Sequence, residues 1–467
     1  MVEEEIMEKA FDLNIEEILA DWEPYHAVRE IIANALDEQI ISNTKEIEIF
    51  KDAENRWHIK DFGRGLIRGH LTQKENNEKI KSENLIGKFG VGLKDAIATF
   101  ERHKINVEIN SKFERIFIDR REKFGFPNIF TLHALLKEPI NTECIGTDVI
   151  LSNINDIEIL KAKELFLNFK NISPLEATTY GEIYERENYK GIIYINGLKV
   201  AEEENFLFSY NITSLNKKIK KALNRERTNV GRVAYSDRIQ KILLVTKTEK
   251  IAEIIGKEFR RLQSGAIHEE LNWVNVQEHA VDLLNRTGKY VFLTSLEAML
   301  YPSLINDIRR ENKVPFIIPE NLRSKIKGRI DVEGNPVIDI DQFVYDYNDS
   351  FIFDFVNEED LNSEEKGIYS LLGEIIDVFG KIPNNVKGIK ISNNIRNDYY
   401  DNNITMGIYD SENELIVIHR NALKSLSIFC GIVIHELIHA KTGYPDVDRN
   451  FETALTNMIG KIVSKHI

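Results

Sequence analysis

The chain has 467 residues, 42% of them apolar and 29% charged, with 61 Lys and Arg against 75 Asp and Glu, a net charge of −14. That length exceeds one ordinary core and predicts three or four packed domains, while the acidic balance argues against a nucleic-acid partner, whose phosphates call for a basic surface. No apolar run approaches the roughly 20 residues of a membrane span. The acidic start MVEEEIMEKAF lacks the features of a secretory signal, and the two distant cysteines, Cys144 and Cys430, suit a reducing compartment, so the expected location is the cytoplasm.

In chain order, the first strong pattern is PYHAVREIIANALDEQIISN. Pro24 suits a first helical turn, and Val28, Ile31, Ile32 and Ile40 recur at helical spacing, so a helix is predicted from Pro24 to about Asn43. Glu30, Asn34 and Asp37 stand i, i+4, i+7 and project from a neighbouring face. Two strands then flank a turn at Ala53–Asn55, the second ending in Asp61-Phe62-Gly63-Arg64-Gly65. After a polar stretch, Gly87-Lys88-Phe89-Gly90-Val91-Gly92 opens a helix, and Gly146-Thr147 begins a further strand.

The stretch GIIYINGLKVAEEENFLFSYNI reads as two strands, followed by helices through SLNKKIKKALNRE and YSDRIQKILLVTKTEKIAEIIGKEFRRL. Arg225, Arg227 and Arg232 are basic residues available to reach another surface, or simply to face solvent. A strand–helix–strand–helix segment follows, and a boundary is expected near residues 335–355. Beyond it come a helix, the strand KGIKIS, the hairpin TMGIYDSENELIVIHR and the long apolar helix ALKSLSIFCGIVIHELIHAKTG.

That last helix holds His435-Glu436-Leu437-Ile438-His439. Two histidines at i, i+4 reach one metal from one helix face, and a glutamate beside the first suits contact with a metal-bound water. The third ligand is open among Asp446, Asp448 and Glu452. The helix DVDRNFETALTNMIGKIVSKHI, with Asp446 or Asp448 as its cap, places Glu452 in its first turns, and Glu452 is preferred.

The four N-terminal elements, on helix, strand end, loop-to-helix and strand, together resemble the GHKL or Bergerat-fold ATPases: gyrase B subunits, MutL, heat-shock protein 90 chaperones, histidine kinases and MORC proteins. The resemblance implies that Glu30 is the base activating water for ATP hydrolysis and that Asn34 binds magnesium (Mg2+). It implies that Asp61 reads the adenine with Thr147 beside it, and that Asp37 is a supporting carboxylate. Gly63, Gly65, Gly87, Lys88, Gly90 and Gly92 would line the nucleotide, Lys94 would add charge there, and residues 66–86 would form a lid. The C-terminal helix with its preceding strands is similar to zincin metallopeptidases of the gluzincin type, which implies zinc (Zn2+) on His435, His439 and Glu452 with Glu436 as catalytic base.

The expected architecture is therefore α+β and multidomain. It comprises a Bergerat α/β sandwich over residues 1–185, a transducer-like α/β middle region over 186–340 and a minimal zincin fold over 341–467. The expected function is an ATP-dependent switch, with a nucleotide-dependent homodimer, regulating a zinc peptidase that acts on a protein or peptide substrate, in a setting of bacterial stress or defence. The alternatives are a chaperone-like or conformational ATPase whose zinc site is non-catalytic and serves partner binding, and a DNA-transaction factor.

Overall fold

A computed structural model describes residues 9–13, 15, 21–72, 85–86, 92–139, 143–223, 230–262, 268–396, 405–446 and 448–464. The described chain is mixed α+β with several open sheets and divides into two compact units, Met1–Leu283 and Leu284–Ile467.

The first unit carries two sheets. Its seven-stranded sheet has the order β1-β6-β5-β4-β7-β3-β2, built from β1 (Lys9–Asp12), β2 (Glu48–Lys51), β3 (Trp57–Lys60), β4 (Asn106–Ser111), β5 (Arg115–Glu122), β6 (Phe130–Lys137) and β7 (Thr147–Ser152). Every pairing in it is antiparallel. The helix Pro24–Ser42 has buried residues around its circumference, among them Val28, Ile31 and Ile32, which share a core with Ile59, Phe100, Ile109 and Leu151. Fully burying an aliphatic or aromatic side chain of this size contributes roughly 1.5–3 kcal/mol.

The second sheet has the order β11-β10-β12-β9-β8, from β8 (Glu176–Ala177), β9 (Gly181–Glu185), β10 (Gly191–Ile195), β11 (Leu198–Glu203) and β12 (Phe208–Ile212). The stretch expected as two strands forms three. Asn196 and Gly197 both take positive φ, 47° and 83°, and make the two-residue hairpin turn that joins β10 to β11. An Asn-Gly pair adopts this turn because both residues tolerate the left-handed region.

In the second unit, β13 (Tyr290–Thr294) and β14 (Val314–Ile318) pair in parallel, and β15 (Phe355–Val356), β16 (Gly388–Ser392), β17 (Gly407–Asp410) and β18 (Leu415–His419) form a sheet of order β15-β16-β18-β17. The helix expected over 357–383 breaks into Ser363–Tyr369 and Leu372–Phe379. The helix Leu426–Thr442 packs Phe429, Val433 and Leu437 against Ile391, Ile416 and Ile418 of the sheet.

Two parts of the expected architecture are corrected. The C-terminal sheet and helix do not amount to a minimal zincin fold, because the ligand group they hold is His435, His439 and Asp446, without Glu452. The Bergerat sandwich and its transducer give way to the plainer description of an open antiparallel sheet and a separate mixed sheet. Among the described residues, the single three-ligand His/Cys/Asp/Glu cluster lies at this C-terminal site and none accompanies Asn34.

Candidate metal centre

The helix Leu426–Thr442 is apolar on most sides, which suits a buried helix. It ends at Gly443, whose left-handed φ of 69° lets its N–H donate back to the His439 carbonyl. The chain therefore turns sharply, and the segment through Tyr444 and Asp446 lies against the end of the helix.

Three ligand atoms converge there. The Asp446 Oδ1 lies 2.7 Å from the His435 Nε2 and 2.9 Å from the His439 Nε2, and the two Nε2 atoms are 3.0 Å apart. A tetrahedral zinc with bonds of roughly 2.0–2.1 Å separates its ligands by about 3.3 Å, so the triad need open by only a few tenths of an ångström. The His439 Nδ1 lies 2.7 Å from the Tyr444 carbonyl, to which it donates, leaving the Nε2 lone pair for the cluster. Phe451, buried on the helix Arg449–Ser464, stacks on the His439 ring at 4.1 Å and meets the His435 ring edge-on at 4.8 Å. Burial pushes the His435 pKa below its usual value, opposed by the Asp446 charge and reinforced by His439. The neutral imidazole thus favoured is the form that binds metal. The group has the donor set to coordinate a divalent cation, and it is only partly buried, with the Asp446 side chain 49% exposed.

Glu436 is placed differently. It is 7% exposed and accepts a hydrogen bond from the Tyr409 backbone N–H, and a Cβ on Gly407 would come within 3.0 Å of its Oε1. Burial, reinforced by the Asp446 charge, pushes its carboxyl up to about 8. Its side chain is held against β17 and is not one of the three clustered ligands. Glu452 is exposed, and Asp448 caps the last helix by accepting from the Asn450 N–H at 2.7 Å. The gluzincin-type ligand set and the assignment of a zinc peptidase are corrected accordingly: the triad is His-His-Asp, and the carboxyl expected as base is buried on the helix against β17.

The N-terminal constellation is also corrected. Glu30, the expected base, is 2% exposed and ion-paired with Arg29, its Oε1 accepting from Nη2 at 2.9 Å and from Nε at 3.1 Å. A Cβ at Gly92 would lie 2.4 Å from the Glu30 Oε2, so the glycine there is required by the packing of this carboxylate. Asp37 is buried and accepts from the Ile86 N–H at 2.6 Å, which makes it a structural tie. Asp61 accepts from the N–H groups of Gly63 at 2.9 Å and Thr147 at 3.2 Å. Burial raises it to about 6 against those hydrogen bonds. Gly65 sits at φ 87° in the following turn, and Asn34 and Lys94 are half-buried. Gly87, Lys88, Gly90, Arg225 and Arg227 lie outside the described residues, as does most of the expected lid. Arg232 is committed to Glu203 and Asn205.

Among the described residues, the candidate three-ligand cluster sits at His435, His439 and Asp446, while Glu30, Asp37 and Asp61 are engaged by Arg29 and by backbone N–H groups; the expected ATP- and magnesium-binding centre and ATPase are corrected to this metal-site candidate. Sequence reasoning missed Glu38, which accepts from the Arg64 N–H and Nε, each at 2.9 Å. Burial acts to raise Glu38, and the hydrogen bonds from Arg64 outweigh it, holding the carboxyl at about 2. It also missed Phe451 and the Tyr444 carbonyl; the glycine directly after the motif helix was the signal that the chain folds back there.

No helix among the described residues is long and apolar enough to cross a membrane. A protein-family model described as the Mycoplasma pneumoniae MPN635 N-terminal domain matches residues 157–249. An uncharacterized protein of Mycoplasma pneumoniae is 42% identical over 236 residues, which make up 50% of this chain and 95% of that protein. A second uncharacterized protein of the same organism is 24% identical over 339 residues, 68% of this chain and 94% of the other.

Proposed function

The chain belongs to the same family as the 42%-identical uncharacterized protein of Mycoplasma pneumoniae, and we propose that it is a cytoplasmic, partner-binding protein whose C-terminal His-His-Asp site holds zinc in a non-catalytic role. The observation that carries this reading is the convergence of the His435, His439 and Asp446 ligand atoms within 3.0 Å of one another while the Glu436 side chain is held against β17. Two imidazole nitrogens and a carboxylate oxygen this close together form a donor set that one cation would hold. Two imidazoles and a carboxylate suit zinc, which accepts nitrogen and oxygen donors in a tetrahedron.

The metal would fasten the end of the helix Leu426–Thr442 to the segment carrying Asp446. On the exposed side of the triad, where Asp446 is half-exposed, a donor from a protein or peptide partner would be able to join the three residues in holding the metal.

Metal analysis of protein purified without chelator, joined to a pull-down from solution with and without chelator, tests this. One zinc per chain is expected, lost in His439→Ala, with partner capture following the metal. Glu436→Gln is expected to keep both. Peptide cleavage by the wild type that Glu436→Gln abolishes while zinc stays bound would overturn the non-catalytic reading.

A further inference from the structure

A second candidate site lies in the first unit, wholly inside the segment matched by the family model. A cleft of about 440 Å³ opens at the end of the five-stranded sheet where β10 and β12 finish and β9 begins. Its floor is the Glu182 carboxylate. The Oε2 of Glu182 accepts from the Tyr184 hydroxyl at 2.8 Å and from the Asn211 Nδ2 at 2.9 Å. Asn211 is in turn fixed through its Oδ1, which accepts from the Gly197 N–H at 2.9 Å. Tyr184 and Asn211 are buried, so the carboxylate is held rigidly with its orientation set by two donors.

Both of those hydrogen bonds fall on one oxygen. Among the described residues, the Glu182 Oε1 receives no hydrogen bond, and the Asn168 amide and the Thr213 hydroxyl at the rim have none either. The cation bordering the cleft, Lys170, is already spent, because its Nζ lies 2.8 Å from each oxygen of Glu187. The cleft therefore presents one uncompensated negative charge, neutral oxygen acceptors at its rim, and an apolar wall at Ile172.

We propose that this cleft binds a cationic nitrogen head, an ammonium or guanidinium, carried on a short apolar stem. The head donates to the Glu182 Oε1, to the Asn168 carbonyl oxygen and to the Thr213 hydroxyl, and the stem runs along Ile172. A charge-assisted hydrogen bond to a positioned carboxylate is about twice as strong as a neutral one, which is what discriminates such a head from its uncharged analogue. The head arrives either on a free small amine or on a lysine or arginine side chain of a partner, and the chemistry at Glu182 is the same for both.

Titration of the full-length chain by calorimetry or ligand-observed NMR tests the proposal, with putrescine, N-acetyl-lysine-N-methylamide and its arginine counterpart as probes and N-acetyl-norleucine-N-methylamide as the uncharged control. At least one cationic probe is expected to saturate with a Kd of about 1 mM or tighter. Putrescine alone binding identifies a free amine; the blocked residues binding identifies a partner's side chain. Glu182→Gln, which keeps an acceptor for Tyr184 and Asn211, is expected to weaken binding about tenfold or more. Asn168→Ala and Thr213→Val each weaken it by a smaller factor, and they decide the matter if Glu182→Gln fails to fold. Equal binding of the norleucine control, no saturation by any cationic probe, or unchanged affinity in a folded Glu182→Gln overturns the proposal. Chelator leaves this binding unchanged, so its failure and the failure of the zinc reading are separate results.

Discussion

The acidic face of the helix Pro24–Ser42 and the histidine group at the end of the helix Leu426–Thr442 both bring polar side chains together on a buried helix, and they differ in what answers the charge. Around Glu30, Asp37 and Asp61 the protein supplies the partners itself: the Arg29 guanidinium, the Ile86 N–H, and the N–H groups of Gly63 and Thr147. At the C-terminal site three ligand atoms face one another across 2.7–3.0 Å. A buried polar group is costly unless paired, and the first arrangement draws its partners from the fold, whereas the second groups two imidazoles and a half-exposed carboxylate into a donor set open to a cation. Spacing alone does not distinguish these cases; the partners do.

The largest effect expected from breaking this contrast lies on the satisfied side. Arg29→Ala leaves the Glu30 carboxylate buried without its cation and is expected to cost about 3–5 kcal/mol in urea unfolding. If the variant unfolds at the wild-type midpoint, Glu30 is not held by that pair. Next in size is the metal: zinc at a hundredfold over its Kd is expected to stabilise the wild type by about 2.7 kcal/mol, with chelator and His439→Ala each removing the gain. Thermal melts with and without zinc read this directly.

A smaller effect concerns pH. In the folded state Asp61 titrates near 6, against 3.8 for the free side chain. Between those values the folded chain holds a proton that the unfolded chain has released. The contribution to stability is therefore greatest below about pH 4 and falls as pH rises through 6. Asp61→Asn is expected to flatten that slope and to gain on the order of 1 kcal/mol at neutral pH. A wild-type slope in the mutant excludes Asp61 as its source. The smallest effect separates the two carboxylates offered as third ligand. Asp446→Ala is expected to weaken zinc binding about tenfold or more, while Glu452→Ala, on an exposed position, changes neither affinity nor stability beyond about 0.5 kcal/mol.

Much of the secondary structure was legible because it rests on local chemistry. Pro24 opened its helix, and the i, i+4 histidines fell on one helix preceded by the β17–β18 hairpin. What was not legible depended on backbone reversal and on distant partners. The preference for Glu452 followed helical periodicity into the next helix, whereas the left-handed Gly443 returned the chain after a single turn and brought Asp446 to the histidines. The Asn196-Gly197 hairpin was equally local and equally informative, and counting two strands over that stretch left out one strand of the second sheet. Arg29 next to Glu30 is adjacent in sequence, yet only burial of both makes the pair decisive. The resemblance to an ATPase centre rested on residue types and their order, which do not record which of those groups have already been claimed by the fold.

All three members of the histidine–aspartate group fall between residues 435 and 446, so a metal joining them closes only a very short loop of chain. The entropic cost of such a closure is small and owes nothing to the distant sheet strands. One helical segment and its reversal suffice to assemble the ligands, and contacts this local form early. An ion held there would accordingly lock the end of one helix to its own reversal without calling on the strands of the sheet.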